Sequence, residues 1–110
     1  MIVEKREYSL VPGSMPTFIE LYRTQGWQIQ LAHLGCCMGY YSTEFGDVNG
    51  IVHLWAFDDL HDRTARRTAL NADPQWQTFL KQVKPLLASM HNCLLNPMPF
   101  AVHNPVTVKA

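Results

Sequence analysis

Residues 39–59 read GYYSTEFGDVNGIVHLWAFDD, and the pairing of the two apolar runs in this stretch decides the fold. Between the runs lies Gly46-Asp-Val-Asn-Gly50, dense in turn formers, with Asn49-Gly50 the strongest local hairpin signal. The spacing predicts two antiparallel strands, Leu34–Phe45 and Gly50–Phe57. Side chains alternate across a strand, so a connection of even length sets opposed positions to an odd sum. Tyr40 then shares a face with Trp55, Ser42 with His53, Met38 with Phe57 and Glu44 with Ile51. An odd connection exchanges Tyr40 for Tyr41. Val52, Leu54 and Ala56 make the other face, small and aliphatic, suited to packing under helices. The face with Tyr40, His53 and Trp55 is larger and amphipathic, suited to a cleft or an interface.

On the N-terminal side, Ile2–Leu10 has strand character, and VPGSMP breaks it. Ser14 followed by Pro16 is a helix-start signal. Phe18, Ile19, Leu21, Tyr22 and Ile29 then recur at helical spacing, which predicts a helix from about Met15 to Leu31, bent near Gly26-Trp27. On the C-terminal side, Asp58-Asp59 with Asp62 resembles a capping box, opening a helix to about Asn71. Asp73-Pro74 starts another, to about Lys84. Ser89–Leu95 can form a last strand. The order β-α-β-β-α(α)-β is ferredoxin-like and places the chain in the α+β class, an antiparallel sheet with helices on one face. Residues 1–100 form this domain, and 101–110 read as an extended C-terminal tail. In this topology the first strand lies beside the third, so Glu4, Arg6, Tyr8 and Leu10, which share a face, bring Arg6 and Tyr8 toward His53 and Trp55.

The chain has 110 residues, of which 47% are hydrophobic and 16% charged. So low a charged fraction points to buried surface beyond a small core, part of it between subunits. A homodimer or higher oligomer is expected, with a second sheet covering the bare face of the first. Nine basic and nine acidic residues cancel, which gives no electrostatic footprint for nucleic acid. No run reaches the length of a membrane span, the N-terminus lacks a signal-peptide core, and three cysteines do not read as a disulfide framework. The expected compartment is the cytoplasm.

The candidate ligand-pocket residues are Arg6, Tyr8, Tyr40, Glu44, His53 and Trp55. His53 is the best catalytic candidate, as an acid–base or orienting group; the competing reading is a sheet face packed against its symmetry mate. Arg63, Arg66 and Arg67 share one side of a helix and suit either an anion or intramolecular pairing with Asp59, Asp62, Glu4 or Glu44. A clamp between Arg63 and Glu44 is the preferred version. Trp76 is expected to anchor its short helix. His33, Cys36 and Cys37, and likewise His91 and Cys93, match no strong metal spacing, and no cofactor motif is visible.

Four blocks resemble the NIPSNAP family. EKREYSLVPG (residues 4–13) resembles its opening E-x-R-x-Y-x-L-x-P-G, and residues 33–57, HLGCCMGYYSTEFGDVNGIVHLWAF, its central H-x-G-x-x-x-G-Y-x-x-T-E-x-G-x-x-N-x-x-x-H-x-W. DRTARRTALNADPQW (62–76) resembles D-R-x-x-R-R-x-x-L-x-x-D-P-x-W, and LLNP (94–97) the closing L-x-P. The resemblance implies a dimeric α+β barrel, two ferredoxin-like sheets face to face with helices outside. The wider barrel superfamily includes cofactor-free monooxygenases, haem-degrading enzymes and isomerases, but a fold does not fix a function. Two readings therefore stand: a barrel holding a small apolar or acidic molecule, with monooxygenase-like or isomerase-like chemistry as a variant, and a structural or interaction module with a filled barrel.

Overall fold

Alternation in the first strand is the starting point: Glu4, Arg6, Tyr8 and Leu10 turn to one side, Lys5, Glu7 and Ser9 to the other. In the computed structural model, which describes residues 1–101 and the backbone of 106–107, β1 (Ile2–Leu10) is an inner strand of an antiparallel sheet. It pairs on one side with β3 (Gly50–Phe57) and on the other with β4 (Leu87–Leu95); β2 (Cys36–Ser42) follows β3, and the two-residue β5 (Val106–Thr107) pairs with Cys36 and Cys37. The order β4-β1-β3-β2-β5 contains the ferredoxin-like arrangement expected from sequence. Apart from Val106–Thr107, the expected C-terminal tail beyond residue 101 lies outside the described residues.

The helices cover one face. α1 (Met15–Leu21) leads through a single wide turn, Tyr22–Gly26, into α2 (Trp27–Leu34), so the predicted bend is a π-turn in which the Trp27 amide donates to the Tyr22 carbonyl, five residues back. A reason for glycine at 26 is steric: a Cβ there would lie 2.5 Å from Cζ of Phe79. α2 runs past the expected Leu31 and ends at Gly35, whose φ of 87° and N–H bond to the Leu31 carbonyl close the helix. The second strand therefore begins at Cys36 rather than Leu34. It ends at Ser42 rather than Phe45, and the Thr43 amide bonds the Gly50 carbonyl across the connection.

α3 (Leu60–Ala72) starts as expected: the Asp62 amide donates to Asp59 Oδ1 at 2.7 Å, and the Asp62 carboxylate accepts from the Asp58 amide. α4 (Pro74–Val83) is capped by Asp73, which accepts from the Gln75 amide. The core lies between these helices and the sheet and includes Leu10, Phe18, Tyr22, Leu34, Ile51, Trp55, Leu70, Trp76 and Phe79.

The faces of the hairpin are reversed relative to expectation. The aromatic face of β3 lies under the helices: His53 and Trp55 are wholly buried, while Val52 and Leu54 on the opposite face are only half-buried. Bulk is the physical reason, because the large rings fill the wide gap between helices and sheet better than a Val-Leu-Ala row. The pairing is in the predicted parity but displaced by two residues, so that Tyr40 opposes His53, Ser42 opposes Ile51, and Met38 and Glu44 oppose neither Phe57 nor Ile51. A bulge between Cys37 and Gly39 places Cys37 opposite Trp55 and shifts the phase of β2, which turns both Cys37 and Tyr40 toward the helices.

Candidate functional site

Register builds the site. Glu4 opposes Trp55, Arg6 opposes His53, and Tyr8 opposes Ile51, so the polar residues of β1 line up beside the aromatic residues of β3 under the helices. The expected proximity of Arg6 and Tyr8 to His53 is present: the Tyr8 and His53 rings lie 4.9 Å apart, edge to face, and Arg6 Nε donates to the Tyr8 hydroxyl at 3.1 Å.

His53 is held on several sides. Its Nδ1 accepts a 2.7 Å hydrogen bond from Trp55 Nε1, and Tyr40 stacks on the ring at 4.4 Å. Burial first, then the charges of Arg6 and Arg67, hold the imidazole near pKa 3. At neutral pH it is uncharged, with Nδ1 occupied as acceptor and Nε2 carrying the proton. That Nε2 is buried and has no partner among the described residues. The Tyr22 and Tyr40 hydroxyls are buried without a hydrogen-bond partner among the described residues, and burial raises both pKa values above the ordinary phenol value.

Glu4 is the electrostatic centre of the sheet's inner face and is only 1% exposed. Arg63 donates from Nε to Oε1 at 3.1 Å and from Nη2 to Oε2 at 2.8 Å; Arg6 Nη1 and Asn92 Nδ2 also reach Oε2. Burial would raise the Glu4 pKa, but the bonds from Arg63 and Asn92 and the charges of Arg6 and Arg63 outweigh it and hold it at about 2. The partner of Arg63 is thus Glu4 and not Glu44, which stands exposed in the connection between β2 and β3, apart from the other pocket candidates. Arg66 turns aside to Asp62 and the His33 carbonyl. His33 itself pairs with Asp73 at 2.8 Å.

A pocket of about 540 Å³ opens between α1, α2, α3, α4 and the β1–β4 edge of the sheet. Its wall is largely apolar, with Phe18, Trp76, Phe79, Val83, Leu87 and Met90, and its polar groups include Arg6, Tyr8, Gln30 and Arg67. Arg6 and Tyr8, expected in a pocket inside the barrel, line this one under the helices instead. His53, Trp55 and Tyr40 instead form the packed layer beside it. Trp76 anchors α4 as expected, packing on Phe79 at 5.1 Å, and is also part of the wall.

Gln30 was missed by sequence reasoning. It is 2% exposed and its Oε1 has no partner among the described residues. The signal was available: Trp27, Gln30 and Leu34 fall at i, i+3 and i+7, so Gln30 is an amide in the inward stripe of a helix.

Similarity to known proteins is extensive. The NIPSNAP family model matches residues 3–102. The chain is 37% identical over 75 residues to Protein NipSnap homolog 3A of Homo sapiens, covering 67% of this chain and 30% of that one. It spans about a third of the length of the curated relatives it matches. Among solved structures, a NIPSNAP-like domain protein from Burkholderia xenovorans superimposes with a TM-score of 0.93 at 39% identity, over 98% of this chain and 94% of that one. Protein Atu4242 from Agrobacterium tumefaciens gives a TM-score of 0.90 at 40% identity, over 92% and 97%. An antibiotic biosynthesis monooxygenase, TM-score 0.64 at 14% identity over 90% of this chain and 100% of that one, shares the fold alone. With the four motif blocks set on this sheet and these helices, the chain belongs to the NIPSNAP family.

Proposed function

We propose that the chain is a small-molecule-binding protein whose ligand occupies the pocket between the helices and the β1–β4 edge. The observation that carries this reading is the convergence of Arg6, Tyr8, Gln30 and Arg67, from three elements, on a cavity otherwise walled by aromatic and aliphatic side chains. Mostly apolar clefts of this size with a few directed polar groups are the usual form of ligand sites. His53 acts here as a neutral, rigid support for Tyr8 and Tyr40; with Nδ1 occupied and its pKa near 3, it is poorly suited to be a general base. A thermal-shift screen with small apolar and acidic compounds tests the reading. A ligand at a hundred times its Kd adds about 2.7 kcal/mol of stability. Failure of every compound to raise Tm or to bind by calorimetry refutes it.

The filled-module reading draws on the enclosure of His53 and Trp55, which pack rather than line the pocket. It predicts that the same screen returns nothing.

The assembly expected is a homodimer through the open sheet face. Val52 and Leu54 lie there, and Tyr41 stands 57% exposed beside a connection that presents Phe45 at 88%. A second copy of the sheet would cover this surface, as the family resemblance implies. Among the described residues no helix is long and apolar enough to cross a membrane. The three free cysteines fit the reducing cytoplasm expected from sequence.

A further inference from the structure

We propose that Arg67 is an anion anchor and that the pocket takes a monocarboxylate with an apolar body; this rests on the ligand-pocket reading above. Three guanidinium groups, Arg6, Arg63 and Arg67, gather around a single carboxylate, Glu4. Glu4 is saturated. Its two oxygens accept four hydrogen bonds, three of them from Arg63 and Arg6 and the fourth from Asn92. Arg6 also donates to Tyr8. Arg67 is left over. It follows Arg63 by one helical turn on the inward side of α3, is half-buried on the pocket wall, and forms neither a hydrogen bond nor an ion pair among the described residues.

A guanidinium placed beside another cation in a partly desolvated wall is unfavourable without an anion. Burial first, then the Arg6 charge, pull the Arg67 pKa below its ordinary value. The fork of a guanidinium matches the two oxygens of a carboxylate. Gln30 supplies an independent indication that the pocket takes a ligand: its side-chain amide, 2% exposed on the same wall, has an oxygen without a partner among the described residues, an acceptor that would meet a donor on the body of the ligand rather than its carboxylate. Phe18, Trp76, Phe79 and Met90 complete a lining that favours hydrocarbon or an aromatic ring for the rest of the molecule. Lys84 also lines the pocket but is exposed to solvent, so Arg67 is the half-buried cation of the wall without a protein partner among the described residues, which calls for a single negative charge rather than a polyanion.

The test uses the full chain, 2-naphthoate and octanoate, and the carboxamide of each, titrated by calorimetry at neutral pH and low salt. Wild type is expected to prefer the acids over their amides by a factor of about ten to a hundred, the size of a charge-assisted hydrogen bond. Arg67→Met is expected to remove that preference by weakening the acids far more than the amides, and to melt no lower than wild type. Arg67→Lys is expected to restore part of the preference. Equal binding of acids and amides by wild type, or an unchanged preference in Arg67→Met, overturns the anchor while leaving the pocket reading intact. If neither acids nor amides bind wild type, the pocket reading falls and the anchor with it.

Discussion

Glu4→Gln isolates the charge cluster, and its consequence can be worked from the structure. The substitution keeps the shape of the side chain and removes the charge that Arg6 and Arg63 face. In the folded chain the Glu4 carboxyl lies at about pKa 2 against an ordinary value of 4.5. A folded-state pKa below the unfolded one means that the carboxylate stabilises the fold fully above pH of about 4.5. That contribution fades as pH falls through 4.5 toward 2, and is gone below both values. The difference corresponds to about 3 kcal/mol at neutral pH. This agrees in size with the roughly 3–5 kcal/mol lost when one partner of a buried pair is removed, and it is a large part of the roughly 5–15 kcal/mol that holds a domain together. Urea unfolding at pH 7 should place Glu4→Gln about 3 kcal/mol below wild type. The same experiment near pH 2 should bring the two close together, because folded wild-type Glu4 is then about half protonated and most of its contribution has gone. Other carboxylates also lose stabilising bonds in acid, but they do so in both proteins, so the difference between the two curves reports Glu4 alone. Curves that differ by less than about half a kcal/mol at pH 7, or that remain parallel down to pH 2, would refute the reasoning.

Three further outcomes are expected. Gly26→Ala drives a Cβ into the Phe79 ring, 2.5 Å from Cζ; the overpacking, about 1–3 kcal/mol, exceeds the gain of about 0.5–1 kcal/mol from replacing a helical glycine, so Tm should fall, and Phe79→Leu in the same chain should recover part of the loss. Trp55→Phe removes the donor to His53 Nδ1 and strands a buried acceptor at a cost of about 1–3 kcal/mol; nitrogen NMR of the imidazole should show the tautomer no longer fixed, and an unchanged spectrum would dismiss the bond. Light scattering should give roughly twice the 12.6 kDa of one chain, and Leu54→Arg on the open face should reduce it to that of a monomer; a monomeric wild type would exclude the sheet-to-sheet dimer.

The order of elements was legible in the sequence because its signals are local. Asp59, Asp73, Pro74 and Asn49-Gly50 act within a turn of themselves, and β1 and β3 fall where alternation placed them. What could not be read was which face of the hairpin the helices would cover. That choice belongs to the whole domain: it depends on the volume between α4 and the sheet, and on a bulge at Cys37–Gly39 that alternation alone does not announce. The same limit explains Arg63. The alternatives included a bound anion as well as four acids, and the choice between Glu4 and Glu44 depended on where β2 ends; its end at Ser42 carries Glu44 into solvent.

The reversal of faces also changes what the aromatic residues can do. Had His53 and Trp55 faced a second sheet, a ligand would have needed the dimer to form its walls. Under the helices, they pack beside a pocket whose walls all come from the same chain. The wide turn at Tyr22–Gly26 is part of that construction. It brings α1 into α2 with glycine against Phe79, which seats that ring between Tyr22 and Trp76, at 5.5 and 5.1 Å, as a wall of the cavity. The bulge at Cys37–Gly39 turns Tyr40 onto His53 and so fixes the layer beside which Arg6 and Tyr8 stand. On the proposed reading, ligand binding and dimerisation would use opposite faces of one sheet. A change on the open face such as Leu54→Arg should alter the assembly without abolishing ligand binding, whereas a change at Arg67 should weaken acid binding and leave the assembly intact.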